Sequence, residues 1–238
     1  MLKNTTELYD HQLAALDGPI GHVKDFFFDD KAWTIRYVVA DTGSWLHGRL
    51  VLLSPHAFGR MYPYEKTLHV NLNKRRIENS PPIESYQPVS RQYEADYHHY
   101  YGWPAYWNGG GIWGITGLGG SRAPLAADLP PSHRPADRHL QSAQAVTGYS
   151  IQTVDGSIGS VTGFLIDDKC WMIRQVVVEI GHWYSSKEVA IAPENIESVS
   201  YEESTVFVNL TKLEILQAAP LNPSWAGTRR LSRENFPE

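Results

Sequence analysis

The sequence is poor in the residues that most directly announce a chemistry. It holds one cysteine, Cys170, so no disulfide can form within the chain. No paired histidine motif accompanies that thiol to make it a nucleophile, and a small buried or half-buried filler beside Trp171 is its reading. Cations are not in excess: 21 Lys and Arg against 26 Asp and Glu give a formal charge of −5 and a pI near 6.1. That balance argues against a surface built to neutralise nucleic-acid phosphates or anionic lipid. The one basic run, Lys74-Arg75-Arg76, reads as a solvated end of a structural unit. No apolar stretch reaches the length of a membrane span or a leader, and the opening MLKNTTELYDHQL is polar. A reducing, cytoplasmic setting without membrane insertion is the expectation.

Apolar residues themselves are not scarce, at 42% of 238 positions, enough for packed cores. The dominant feature is repetition. Leu16 to Pro55 returns as Val154 to Pro193 without insertion or deletion, displaced throughout by 138 positions. Asp17-Gly18-x-Ile20-Gly21-x-Val23 falls on Asp155-Gly156-x-Ile158-Gly159-x-Val161, and Asp29-Asp30-Lys31-x-Trp33-x-Ile35-Arg36 on Asp167-Asp168-Lys169-x-Trp171-x-Ile173-Arg174. Thr67, Val70, Asn71 and Leu72 still match Thr205, Val208, Asn209 and Leu210, so each copy runs for about seventy residues. The local run at Lys74 is not repeated, since the second copy has Lys212-Leu213-Glu214 there. Two copies with an unlike segment between them argue for two small domains rather than a solenoid. The expected organisation is 1–80 for the first copy, 81–140 for a connector, 141–220 for the second copy and 221–238 for a tail.

Each copy reads as β-structure. Gly21 to Phe28 and Gly159 to Ile166 are short runs rich in branched and aromatic residues that end at an Asp-Asp-Lys turn signal. Trp33 to Val39 and Trp171 to Val178 then alternate as half-buried strands do, which predicts a hairpin with Asp29/Asp30 or Asp167/Asp168 at its tip. Those aspartates need no catalytic or metal role, because aspartate in a tight turn bonds its own backbone. A third strand runs into Pro55 or Pro193, and Thr67 to Leu72 or Thr205 to Leu210 closes the unit. Short strands in so small a unit suit a curled barrel filled by its own side chains. The predicted fold class is all-β: two small barrels from an internal duplication, joined by a long linker carrying a short aromatic helix.

The pattern Asp-Gly-x-x-Gly-x-Val, a strand ending in Asp-Asp, Trp-x-Ile-Arg-x-Val-Val and a branched strand into Ser/Ala-Pro resembles the PRC-barrel family. Both copies carry it, over about 145 of the 238 residues. The family includes the cytoplasmic domain of the H subunit of bacterial photosynthetic reaction centres and the C-terminal domain of the ribosome maturation factor RimM. The resemblance implies a β-barrel module used for assembly and docking, and it supplies no catalytic residue. From the residues themselves, Gly21 and Gly159 are expected at turn or close-approach positions, and Trp33 and Trp171 as anchors of the two barrels.

The connector resembles neither copy. Ser90 to Tyr101 predicts a helix capped by Ser90 and stopped by Gly102, with Tyr93, Tyr97, Tyr100 and Tyr101 largely on one face. Trp103, Tyr106, Trp107 and Trp113 extend this aromatic series. So many rings form a candidate partner surface, or else a helix packed on a barrel. Residues 108–120 are glycine-rich, and 121–141, rich in proline, alanine and charge, predict a mobile linker. The adjacent His98 and His99 diverge on a helix and do not chelate, and Gly109-Gly110-Gly111 lacks the strand and helix of a dinucleotide site. The tail, with Trp225 and Ser232-Arg233-Glu234, weakly echoes the connector helix.

No cofactor or metal site is predicted. The reading that accommodates these features is a non-enzymatic interaction or assembly module that docks a protein partner, or a second copy of itself as a homodimer, through its barrels and aromatic connector. Nucleic acid is not an expected partner. The alternative is an electron-transfer or photosynthesis-linked auxiliary resembling the reaction-centre H subunit domain without its membrane anchor.

Overall fold

The computed structural model describes residues 1–59, 61, 65–81, 89, 91–108, 140–182, 185–218 and 221. In chain order its first strands are β1 (Leu2–Asn4), β2 (Gln12–Ala15), β3 (Gly18–Asp29), β4 (Thr34–Asp41), β5 (Leu50–Leu53) and β6 (Thr67–His69). They are followed by β7 (Leu140–Ser142), β8 (Ser150–Thr153), β9 (Gly156–Asp167), β10 (Ile173–His182), β11 (Ser185–Ile191), β12 (Ile196–Ser200) and β13 (Thr205–Val208). The helices are short: α1 (Thr5–Leu8), α2 (Lys74–Glu78), α3 (Arg91–Tyr101), α4 (Ala143–Val146) and α5 (Lys212–Gln217).

The strands make two mixed sheets, one in the order β5-β4-β3-β2-β6 with β7 also on β3, the other in the order β11-β10-β9-β8-β13-β12 with β1 also on β9. The hairpins β3–β4 and β9–β10 are antiparallel, while β2–β6 and β8–β13 are parallel. Local chemistry sets the turns. Asp29 Oδ1 accepts from the amides of Lys31 and Ala32, both at 3.0 Å, so this aspartate ends β3 by bonding its own turn. Gly21 has φ +127°, and a Cβ there would overlap the Asp41 carbonyl; Gly159, at φ +70°, meets the Glu179 carbonyl in the same way.

Among the described strands neither sheet closes into a barrel by a continuous ladder, in contrast to the expected closed barrels. Pro55 ends β5 in a 3-10 turn, Pro55–Ala57, capped by the Ser54 hydroxyl. Among the described residues the segment after it reaches the far end of the sheet by an isolated Phe58–Val70 bridge and two flanking bonds, Gly59 N–H to His69 O at 3.0 Å and Asn71 N–H to Ala57 O at 2.7 Å.

The chain divides into two compact units that do not follow chain order. One gathers Tyr9–Gln144 with Lys169–Met172; the other gathers Met1–Leu8, Ala145–Asp168 and Ile173–Glu238. Each unit is completed by a strand drawn from the other half of the sequence. β1 lies on β9 with Leu2 opposite Asp167 and Asn4 opposite Leu165. At positions displaced by the same 138 residues, β7 lies on β3 with Leu140 opposite Asp29 and Ser142 opposite Phe27. The helices that follow, α1 and α4, bury Thr5 and Leu8 in one unit and supply buried Ala143 and Val146.

The two repeat tryptophans also part company. Both open their strand from left-handed backbone, at φ +48° for Trp33 and +58° for Trp171. Trp33 is half-buried and stacks on Phe28 with centroids 5.7 Å apart. Trp171 belongs to the Tyr9–Gln144 unit, where only 5% of it is exposed and its ring lies 5.1 Å from that of Phe58. Cys170 beside it is half-buried and in no disulfide.

Candidate functional site

Of the candidate surface residues, α3 and the turn after it bury Tyr97 (0% exposed), Tyr101 (3%) and Tyr106 (6%). Tyr93, Tyr100, Trp103 and Trp107 are half-buried, and Trp113 and the cap Ser90 lie outside the described residues. The i, i+4 spacing brings Tyr93, Tyr97 and Tyr101 into one row, with centroids 6.1 and 4.8 Å apart, and Trp103 stacks on Tyr101 at 4.4 Å. Gly102, at φ +71°, follows the last helical residue.

This aromatic face is laid against β4 and β5. The Tyr97 hydroxyl donates to the Leu52 carbonyl at 2.8 Å and accepts from the Ser54 amide at 3.1 Å, joining the helix to the β5 backbone. The helix end is held from the side: Arg76 donates to the Tyr101 carbonyl at 2.8 Å, and the Tyr100 hydroxyl donates to the Arg76 carbonyl at 2.8 Å. Arg49 in turn joins α2 to the sheet through the carbonyls of Glu78 (2.7 Å) and Ser80 (2.5 Å).

At the centre lies a buried polar cluster that sequence reading did not single out. Glu94 is fully buried, and its Oε1 accepts from the hydroxyls of Tyr37 (3.0 Å) and Tyr106 (2.6 Å). His98, 4% exposed, places Nε2 3.1 Å from the Tyr37 hydroxyl and Nδ1 3.0 Å from the Pro104 carbonyl. A carbonyl only accepts, so Nδ1 carries a proton, and in the neutral ring Nε2 accepts. The single Tyr37 proton is then shared between Glu94 and His98. Burial pushes the His98 ring below its usual value, against the opposing Pro104 carbonyl and Glu94. Burial first, then the Glu94 charge, holds the Tyr37 hydroxyl well above the ordinary phenol range. Arg36 lies over the Tyr106 ring at 3.9 Å and pairs with Asp29 at 3.1 Å. The Glu94–His98 spacing of four residues was the available signal, since on a helix such a pair shares a face.

The same positions in the other unit look different. A bulge leaves Arg36 between the paired Ile35 and Tyr37, and another leaves Arg174 between Ile173 and Gln175. Arg36 and Tyr37 are buried under α3; Arg174 is exposed and Gln175 half-buried. The Arg174–Asp167 pair is 3.4 Å long with 46% and 24% side-chain exposure, against 4% and 13% for Arg36 and Asp29. Lys187 repeats the role of Arg49 by donating to the carbonyls of Leu216 (3.1 Å) and Ala218 (2.6 Å), tying the end of α5 to β11. Yet Leu213 and Leu216 of α5 are 61% and 53% exposed. Among the described residues nothing takes the place of α3 there.

No group of three metal-ligating side chains occurs among the described residues, and no described helix is long and apolar enough to cross a membrane. No protein-family model matches the chain, and no curated protein matches it.

Proposed function

We propose that the chain is a non-enzymatic interaction module of the PRC-barrel kind, and that it docks an amphipathic, aromatic-bearing helix of a partner protein on the outer face of β10, β11 and α5. The observation that carries this reading is the inequality of the two repeats. One sheet face holds α3 through aromatic packing and bonds to the strand backbone; its counterpart carries half-buried Gln175, Ala190 and Ala192, and α5, whose end is bonded by Lys187, exposes Leu213 and Leu216. A sheet face that holds a helix in one copy defines the chemistry of what its duplicate accepts. Exposed apolar residues grouped on one face mark interaction sites more often than scattered ones do.

The aromatic connector then serves as an internal part, because most of its rings pack on one another and on β4 and β5. A photo-reactive amino acid at Gln175 or Leu213, introduced into the full chain in its native cells, tests the assignment. The expected product is one protein, linked through a segment with aromatic residues at helical spacing, and lost in a Leu213→Asp/Leu216→Asp variant. Links of equal yield from the exposed control Glu202, or links insensitive to that double change, would overturn it.

A further inference from the structure

The two arms, Met1–Leu8 and Leu140–Val146, occupy equivalent places on β9 and β3 but are recognised by opposite chemistry. On β3 the sheet supplies the acceptor. Asp25, 8% exposed, accepts from its neighbouring Phe26 amide at 2.7 Å and takes two bonds from the arm: the Ser142 hydroxyl at 2.5 Å and the Gln144 amide at 3.0 Å. On β9 the position of Asp25 is Gly163, and the arm supplies the acceptors instead. The Thr5 hydroxyl accepts from the Phe164 amide at 3.2 Å, and Asn4 Oδ1 accepts from the Thr6 amide at 3.1 Å. A Cβ on Gly163 would meet Asn4 Oδ1 at 2.8 Å and Thr6 Cγ2 at 3.0 Å. The arm thus fills the space that a side chain on β9 would need.

We propose that Asp25 and Gly163 are selectivity residues that make the two arm sites orthogonal: β3 accepts only an arm reading Ser-Ala-Gln, and β9 only one reading Asn-Thr-Thr. Exchanging the arms leaves donors and acceptors unmatched on β9 and volumes in conflict on β3. With Leu140–Val146 on β9, Ala143 offers no hydroxyl to the Phe164 amide, and Gly163 offers no acceptor to Ser142 or the Gln144 amide. With Met1–Leu8 on β3, the Asn4 and Thr6 side chains and the Asp25 carboxylate compete for one space, as the contacts of a Cβ on Gly163 show. Buried polar groups without partners are among the strongest penalties a misfit carries. Duplicated halves face this choice during folding, because two equal arm sites would permit either docking. The rule reads only the type of arm, so it applies equally to the arm of a second copy of the chain.

Hydrogen exchange of the full chain, followed separately for residues 1–8 and 140–146, tests the proposal. Gly163→Asp is expected to speed exchange of the first arm at least tenfold while leaving the second unchanged. Grafting the other code, as Asn4→Ser/Thr5→Ala/Thr6→Gln added to Gly163→Asp, is expected to restore protection. Asp25→Gly is expected to release only the second arm, which keeps the test open if Gly163→Asp fails to fold. An unchanged first arm in Gly163→Asp, or no recovery in the graft while β10 stays protected, would overturn the assignment.

Discussion

At the scale of single residues, equal sequence positions carry unequal loads. Trp33 and Trp171 match in the repeat and share a left-handed backbone, but only Trp171 is buried. Trp171→Ala is therefore expected to cost about 3–5 kcal/mol, and Trp33→Ala clearly less, as read from denaturant midpoints at constant slope. The polar cluster makes a second case. Tyr37→Phe removes the hydroxyl that meets both Glu94 and His98, and leaving these buried groups short of a partner is expected to cost about 1–3 kcal/mol. His98 also gives stability a pH dependence of definite sign. The ring is faced by Glu94, Tyr37, Tyr97, Tyr106, Trp103 and Trp107, with Arg36 and His56 adding positive charge. Its folded value lies below the value of about 6.5 for an unfolded histidine, so the unfolded chain takes up the proton first. The contribution is complete above that unfolded value and is lost as pH falls through the lower folded one. Between about pH 7 and 5 the urea midpoint should fall more steeply in the natural chain than in His98→Gln, and parallel curves would disprove the assignment.

At the scale of elements, the helix α3 shows how far local pattern reaches. Its extent, its tyrosine row and its glycine stop follow from spacing that a helix makes visible. Its partner does not, because a row of tyrosines suits either a protein partner or the chain's own sheet, and only the bonds to Leu52, Ser54 and Glu94 decide. Tyr97→Phe should loosen α3 and cost about 1–3 kcal/mol, since it strands the Ser54 amide and Leu52 carbonyl. In hydrogen exchange the loss should appear in α3 and β5 and not in β9. α5 offers a milder contrast: its Thr211/Glu214 capping box is exposed, so Thr211→Ala should cost about 1 kcal/mol.

At the scale of the whole molecule, the repeated segments are crossed rather than tandem in their strand pairing. The strand that completes the unit of β9 comes from the first eight residues, with Leu2 paired to Asp167 and Asn4 to Leu165 across most of the chain. Deleting Met1–Leu8 should thus lower protection throughout β9 and β10, far from the cut in sequence, while β3 and β4 keep theirs. Loss confined to the new terminus would refute this. The sequence comparison found the repeat from Leu16 onward but not in the arms, because LKNTTEL and LQSAQAV share little beyond their first leucine. The difference has a physical source, since the arms are matched to unlike sites, one built on Asp25 and one on Gly163.

What the sequence determined by itself was local and periodic: the β-class, the hairpins and their aspartate turns, the glycine positions where the backbone closes on itself, and the helix in the connector. These rest on dihedral preferences and on alternation that a strand or helix writes into neighbouring residues. The tertiary structure alone decided which strand joins which sheet, that the sheets stay open among the described residues, that the aromatic helix covers one repeat, and that Glu94 and His98 meet Tyr37. Those outcomes depend on donors, acceptors and volumes matched between residues far apart in the chain, and no periodicity records such a match.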